Sequence, residues 1–167
     1  MTKPNDTTTL SKNDLSIEGK GSYALLIEVP DERTIVIGSL QAVHFYRGCY
    51  AYIGSAMGGL KSRLSHHLKE KKSPRWHIDY LLQKASINNI IIFVAKDTVE
   101  CAIAQDLNSQ FYSVPGFGSS DCKCHSHLYF TAERSQIKSW LMLNINLPGI
   151  KPRLVLDLPF KAHLTDF

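Results

Sequence analysis

Residues 49–64, CYAYIGSAMGGLKSRL, place chemically capable side chains around a glycine-rich turn. The first half alternates as a β-strand does, so Tyr50, Tyr52 and Gly54 share one face of the strand. The glycines of the turn let a backbone approach a ligand closely. A helix predicted to begin near Leu60 then offers free amide groups that suit a phosphate. The segment therefore predicts a strand, a tight turn and a helix that together can bind a phosphate group.

Arg63 lies at the border of the apolar stripe of this predicted helix. Leu60, Leu64 and Leu68 recur at four-residue steps and define the stripe. At 100° per residue, Arg63 and His67 flank it. An arginine in this place either covers the edge of the core with its aliphatic stem or meets phosphate oxygens with its planar guanidinium. Both interpretations stay open from the helix alone.

Four separated positions together resemble the GIY-YIG endonuclease superfamily. Gly21-Ser22-Tyr23 is similar to its Gly-x-Tyr strand and Tyr52-Ile53-Gly54 to its Tyr-Ile-Gly strand. Arg63 follows on the next helix, and Glu100 stands in a segment, TVECAIA, that resembles the glutamate helix. The resemblance covers roughly residues 21–109 and is most specific in the Tyr-Ile-Gly and arginine portion. With the loop 116–124, the chain looks closest to a subgroup of uncharacterised domains in that superfamily.

The chain departs from the family pattern at two places. Ser22 stands where the family has isoleucine, at a position expected mainly to pack. The interval from Tyr23 to Tyr52 is 29 residues, longer than is usual, and an inserted strand and turn are expected there. The second departure predicts a reshaped substrate groove.

The resemblance implies an α+β (α/β) fold with a small central antiparallel β-sheet flanked by helices, and metal-dependent hydrolysis of phosphodiester bonds in DNA. Glu100 would bind one Mg²⁺ or Mn²⁺, and Arg63 would bind the phosphate. Tyr23 would be the general base or relay a proton to one, and Tyr52 would position the water or the phosphate. Because the ordinary pKa of tyrosine is about 10, we expect Arg63 and the metal to lower the pKa of Tyr23.

These residues also have structural interpretations. Asp97 and Glu100 have the spacing of a helix capping box, and Tyr23 and Tyr52 are ordinary strand formers. His67 is expected at the core edge rather than as a proton donor. The alternative function is therefore a nucleic-acid-binding module on the same scaffold, with little or no catalysis.

The positive charge of the chain is concentrated in one segment. Residues 59–75 contain six lysines and arginines and one glutamate, a net charge of +5, so the rest of the chain carries −1 of the total +4. Such a surface predicts salt-sensitive contact with the DNA backbone and little sequence preference. The residues expected to contact DNA are Lys61, Arg63, His67, Lys69, Lys71, Lys72 and Arg75.

A second cluster of reactive side chains lies in the sequence CKCHSH. Cys122, Cys124 and His127 are three potential zinc ligands, but their spacing matches no common zinc module. A Cys122–His127 nucleophile is disfavoured because Asp121 would raise the pKa of the thiol. The sequence favours a structural loop beside the site, and a zinc-stabilised interaction domain is a third, less favoured function.

The elements that must position these residues follow from periodicity and turn signals. A turn is predicted at Asn88-Asn89. The second helix is predicted to start at Ser73-Pro74, and the third helix is predicted to start at Asp97. The first predicted strand, 22–29, has apolar residues on both faces and should be buried on both. The other predicted strands are 34–37, 42–46 (an extension or a separate strand), 49–53, 90–95 and 128–130. One predicted helix begins at residue 60, and three further predicted helices cover 75–85, 97–109 and 135–143.

Composition sets the broad class. The chain has 167 residues, of which 44% are hydrophobic and 20% charged, which predicts one soluble domain with a real core. We expect a disordered polar tail over 1–20, a nuclease-like domain over 21–147 and an extended tail packed on it over 148–167. No apolar segment approaches the ~20 residues of a membrane helix, and the opening residues lack a secretory pattern. These features predict a reduced, cytoplasmic protein that does not act at a membrane. The family resemblance implies that its partner is DNA, structured or damaged.

Overall fold

The strand at the centre of the fold is buried along its whole length. The computed structural model describes residues 17–94, 97–145 and 147–159. In it, all nine residues of β1 (Gly21–Val29) are buried. β1 pairs antiparallel with β4 (Gly48–Ala56) on one side and with β5 (Ser86–Val94) on the other. The prediction of a first strand buried on both faces is confirmed.

Three shorter strands complete the main sheet. β7 (Leu128–Thr131) pairs with β4, β6 (Tyr112–Ser113) pairs with β7, and β8 (Lys151–Asp157) pairs with β5. The six-stranded sheet has the order β6-β7-β4-β1-β5-β8, and every pairing is antiparallel. The described part of the predicted C-terminal extended tail therefore contains an edge strand of the sheet; residues 160–167 lie outside the described residues.

Helices cover both faces of this sheet. On the first face, α1 (Leu60–Leu68) and α2 (His77–Leu82) pack against alternate residues of β1, including Tyr23 and Leu25. On the second face, α3 (Glu100–Asn108) and α4 (Arg134–Ser139) pack against Ala24 and Leu26. The expected α+β class, an antiparallel sheet flanked by helices, is confirmed. Within the described ranges, no helix is both long enough and apolar enough to cross a membrane.

A small hairpin accounts for the long interval between the two tyrosine motifs. β2 (Arg33–Val36) and β3 (Ala42–Phe45) form a separate two-stranded sheet, so the segment predicted over 42–46 is a strand of its own. Phe45 is fully buried, with its ring centroid 5.6 Å from that of Tyr50 and 6.4 Å from that of Phe117. The insertion is therefore packed against the domain.

The predicted turn at Asn88-Asn89 is wrong. Both residues are buried within β5, beside an irregularity in its register with β1. Nδ2 of Asn89 donates to a carboxylate oxygen of Asp157 at 2.7 Å, and Nδ2 of Asn88 donates to the carbonyl oxygen of Pro159 at 3.0 Å. Buried amide hydrogens need such partners, and here they come from β8 and the segment directly after it, both distant in sequence.

Two predicted helix starts are also wrong. The residue preceding α2 is Trp76, not Ser73, and the Asp79 carboxylate accepts the amide hydrogens of Trp76 and Arg75 at 3.0 and 2.9 Å. The residue preceding α3 is Val99, not Asp97, and it has no capping side chain of its own.

Residues 17–20, predicted to belong to a disordered tail over 1–20, contact the folded domain. Residues 1–16 lie outside the described residues, but Ile17 is buried in the core beneath α1. The carbonyl oxygen of Gly19 accepts the amide hydrogen of Leu60 at 2.8 Å. The chain from residue 17 onward therefore belongs to the fold and helps to fix the start of α1.

Candidate active site

Tyr23 lies directly across the β1–β4 pair from Gly54. A Cβ atom at position 54 would lie 2.5 Å from the hydroxyl oxygen of Tyr23 and 2.6 Å from its Cζ atom. Glycine is therefore required here because the phenol ring occupies the space above it. The Tyr-Ile-Gly motif and the Gly-x-Tyr motif meet at this contact.

The hydroxyl of Tyr23 is bonded to a buried histidine. Its oxygen lies 2.6 Å from Nε2 of His67, whose side chain extends from α1 and is 3% exposed. Burial lowers the pKa of His67 to about 3, so the imidazole is neutral at neutral pH. His67 was predicted both at the core edge and among the DNA-contacting residues; its side chain is buried and is not part of the exposed basic surface.

Burial also acts on Tyr23 itself. It raises the pKa of Tyr23 well above the ordinary value, and nearby Tyr52 raises it further, while the Arg63 guanidinium lowers it only in part. The expectation that the pKa of Tyr23 falls is therefore wrong as far as the protein's own residues determine it. Desolvation of the phenolate raises this pKa by more than the Arg63 guanidinium lowers it. At neutral pH the hydroxyl keeps its proton.

Arg63 is held against an aromatic ring. Its guanidinium carbon lies 4.2 Å from the centroid of the Trp76 ring, a cation–π contact, and that of Arg75 lies 5.1 Å away. The Trp76 side chain is only partly buried and contacts both arginines. The contact fixes a half-buried guanidinium that would otherwise sample many rotamers.

Glu100 is the first residue of α3, and its Oε2 lies 4.0 Å from Nδ1 of His127. The capping box with Asp97 does not form, because Val99 precedes the helix. The amide of Val99 donates instead to Oγ of Ser22 at 3.0 Å. Ser22 was expected mainly to pack; its hydroxyl joins the central strand to the start of the helix that carries Glu100.

These residues surround one open cleft of about 400 Å³. Tyr52 of β4, Arg63 of α1 and Glu100 of α3 line it, and Tyr23 lies close enough for all three to influence its pKa. The fold therefore brings together the four residues predicted as catalytic from four different elements. Trp76, His77 and the loop residues Gly118, Ser120 and Asp121 complete the lining.

Comparison with known proteins identifies a family for this arrangement. The model of the family described as Domain of unknown function DUF123 matches residues 22–146. The chain belongs to this family. The matched region contains Tyr23, Tyr52, Arg63 and Glu100 and runs from β1 through α4. No curated protein and no solved structure matches the chain.

The loop before β7 closes one side of the cleft in this DUF123 domain. The amide of Gly118 donates to Nδ1 of His77 at 3.0 Å, so this amide is not free to bind a phosphate. Gly118 has a φ of +69°, and a Cβ there would lie 3.0 Å from the Tyr52 ring. The bond to His77 therefore holds the loop close to Tyr52.

The basic surface of the DUF123 domain is smaller than predicted. Lys72 is partly buried, and its Nζ donates to the carbonyl oxygens of His66 and His67 at 3.0 and 2.7 Å, which satisfies the end of α1. His67 is buried and hydrogen-bonded to Tyr23. Two of the seven predicted DNA-contacting residues, His67 and Lys72, therefore make hydrogen bonds within the protein instead. The exposed members are Lys61, Lys69, Lys71 and Arg75, with Arg63 half-buried beside them.

The cysteine cluster contains a residue that sequence reasoning missed. The potential ligand atoms of Cys101, Cys122, Cys124 and His127 all lie within 4.8 Å of one another. Cys101 was not linked to the CKCHSH segment because it lies 21 residues before Cys122, on α3. Its position directly after Glu100 was the only sequence signal that it faces the same region.

Proposed function

We propose that this DUF123 domain is a metal-dependent endonuclease of the GIY-YIG type that hydrolyses phosphodiester bonds in DNA. One observation carries the proposal: Tyr52, Arg63 and Glu100 line a single cleft, with Tyr23 beside it. These are the four residues that the family resemblance assigns to catalysis.

Arg63 binds the phosphate in this proposal. A guanidinium meets two phosphate oxygens with parallel hydrogen bonds, and the Trp76 ring 4.2 Å away holds it in place before the substrate arrives. Preorganised positive charge of this kind stabilises the charge that develops on a phosphate during attack. The exposed Lys69, Lys71 and Arg75 extend the contact along the DNA backbone.

Tyr23 and His67 handle the proton of the attacking water. The Tyr23 hydroxyl is protonated, so it accepts a proton only as it passes its own to Nε2 of His67, 2.6 Å away. The pKa of His67, lowered to about 3, makes the imidazolium short-lived, so the proton returns through the same bond to Tyr23, which then releases one proton to solvent water in the open cleft. Tyr52, packed between His67 and Phe117, orients the water or the phosphate.

The donor set fits a hard divalent cation at Glu100. Its carboxylate side chain is 30% exposed at the cleft, and Mg²⁺ is commonly held by one or two carboxylates together with waters and substrate phosphate. When bound there, Mg²⁺ or Mn²⁺ would supply positive charge to the phosphate and to the leaving oxygen.

The test is nicking of supercoiled plasmid DNA with Mg²⁺ or Mn²⁺. Glu100→Gln and Arg63→Ala are expected to lower the single-turnover rate by roughly 100-fold or more. Glu70→Gln and Arg47→Ala are matched controls on exposed residues outside the cleft and should cut at the wild-type rate.

Two results would contradict the proposal in different ways. A wild-type protein that binds DNA but never cuts it with either metal would leave the alternative, a nucleic-acid-binding module. Cutting by both cleft variants at the wild-type rate would show that the active site lies elsewhere.

A further inference from the structure

The side chains of Cys101, Cys122, Cys124 and His127 converge from three parts of the chain next to the candidate active site. We propose that they bind one Zn²⁺ as a closed, structural site, separate from the cation at Glu100. Three thiolates and one imidazole are a standard ligand set for structural zinc. This inference goes beyond the proposed nuclease function and does not depend on it.

The ligand atoms are already close to the required arrangement. Around a tetrahedral zinc, Zn–S and Zn–N distances of about 2.3 and 2.0 Å place ligand atoms about 3.5 to 3.8 Å apart. Here Nε2 of His127 lies 3.4 Å from Sγ of Cys122 and 4.0 Å from Sγ of Cys101, and all four ligand atoms lie within 4.8 Å of one another. Shifts of a few tenths of an ångström to about one ångström complete the tetrahedron.

The imidazole of His127 is fixed in a ligating orientation. Its Nδ1 lies 2.9 Å from the carbonyl oxygen of Ile53 and therefore carries the proton that it donates there. This tautomer leaves the Nε2 lone pair directed at the sulfur atoms, the arrangement that metal-binding histidines use. The ring is 3% exposed, and the backbone amide of His127 donates to Phe117 at 2.8 Å.

The thiols favour a metal over the competing interpretations. All four cysteines of the chain are free. Three thiols and one imidazole nitrogen lie within 4.8 Å of one another, and zinc displaces thiol protons on binding. A Cys122–His127 nucleophile would need one thiol paired with the imidazole, but Cys101 and Cys124 crowd the same nitrogen.

The site would join the elements that shape the cleft. Cys101 directly follows Glu100 on α3, Cys122 and Cys124 belong to the loop that closes the cleft, and His127 precedes β7. One zinc would therefore tie the first turn of α3 to the loop and to the sheet.

Metal analysis of the full chain, purified under reducing conditions from zinc-supplemented cells, tests the inference without any DNA. We expect about one zinc per chain. Cys101→Ala and His127→Ala should lose most of it, while Cys49→Ala and His125→Ala should keep it. Cys49 and His125 are matched controls, since Cys49 is buried outside the cluster and His125 is exposed beside it.

Titration of the metal-free, reduced wild type with Co²⁺ avoids variants that fail to fold. Thiolate-to-cobalt charge-transfer bands and strong visible bands of tetrahedral cobalt should appear at one equivalent and vanish when zinc is added. Absence of zinc and of these bands would overturn the inference. So would iron with acid-labile sulfide, or a disulfide among the three cysteines in protein purified without oxidation.

Discussion

The hydroxyl oxygen of Tyr23 lies 2.6 Å from Nε2 of His67, and neither side chain is more than 3% exposed. The bond gives a partner to the buried hydroxyl and to Nε2 of the buried neutral imidazole, each of which would be costly to leave without one. Among the described residues, Nδ1 of His67 has no hydrogen-bond partner. The same bond gives the phenol a proton acceptor that does not exchange freely with solvent. Its structural and chemical consequences can be separated by substitution.

Tyr23→Phe removes the proton relay while keeping the ring. We expect the nicking rate to fall by about 100-fold or more, the usual contribution of a general base. Loss of the partner of His67 should lower the free energy of unfolding by only about 1–2 kcal/mol. Tyr112→Phe, at an 82% exposed residue, is the control. A folded Tyr23→Phe protein that nicks DNA normally would exclude Tyr23 from the chemistry.

Gly54→Ala tests the close contact between the two tyrosine motifs. The new methyl group would lie 2.5 Å from the Tyr23 hydroxyl oxygen, so we expect a loss of about 1–3 kcal/mol in the free energy of unfolding, typical of overpacking. Gly58→Ala should cost little, because a Cβ there meets no atom within 4 Å. Chemical denaturation measures both, and equal stabilities would show that the ring does not lie over Gly54.

His67 should make the stability depend on pH in a defined window. Its pKa is about 3 in the fold and near 6.5 when unfolded, so between these values the unfolded chain binds a proton that the native protein does not. The free energy of unfolding should therefore fall as pH drops below 6.5, by up to about 1.4 kcal/mol per pH unit. His77, whose pKa burial also lowers, acts in the same direction.

Denaturation between pH 4.5 and 6.5 measures this slope above the range in which Asp79 titrates. The bonds from Trp76 and Arg75 outweigh burial and lower the pKa of Asp79, so its contribution is lost only below its ordinary value of 3.8. His67→Gln should flatten the slope, whereas His125→Gln, at an exposed position, should leave it unchanged. An unchanged slope in His67→Gln would contradict the burial of a neutral imidazole.

The basic surface should contribute to DNA affinity residue by residue. Lys69→Ala and Lys71→Ala are each expected to reduce the slope of log K against log salt by about 0.9, the value for one phosphate contact. Lys72→Ala should instead lower stability, since its Nζ binds two carbonyl oxygens. Binding measured across a salt series, with Lys84→Ala as the control, distinguishes these roles; equal slopes for all variants would place the DNA elsewhere.

Ser22→Ala tests how the helix bearing Glu100 is held. Loss of the acceptor for the Val99 amide should cost about 1 kcal/mol and speed hydrogen exchange in the first turn of α3. We also expect a severalfold slower nicking rate, because Glu100 begins that turn. Ser65→Ala, on the exposed side of α1, is the control; unchanged exchange near Val99 would show that the hydroxyl does not position the helix.

The spacing of apolar residues in the sequence correctly predicted the buried faces of β1 and α1. Alternation along 22–29 predicted a strand buried on both faces, and the spacing of Leu60, Leu64 and Leu68 predicted the buried side of α1. The predictions failed at Asn88-Asn89 and at the starts of two helices. The outcome at Asn89 and at the start of α3 depends on partners distant in the chain, Asp157 for Asn89 and Ser22 for Val99. The start of α2 depends instead on a local partner, the Asp79 carboxylate, which accepts the amide hydrogens of Arg75 and Trp76.

The sequence by itself determined the class of fold, and its motif resemblance singled out Tyr23, Tyr52, Arg63 and Glu100, which the fold brings to one cleft. Residue type and short-range spacing carry that information. Only the tertiary structure decided that Tyr23 keeps its proton beside a neutral His67, and that Cys101 joins the CKCHSH segment. The pKa values follow from burial, and the cysteine cluster follows from packing of α3 against the sheet. Both depend on contacts between residues far apart in the chain.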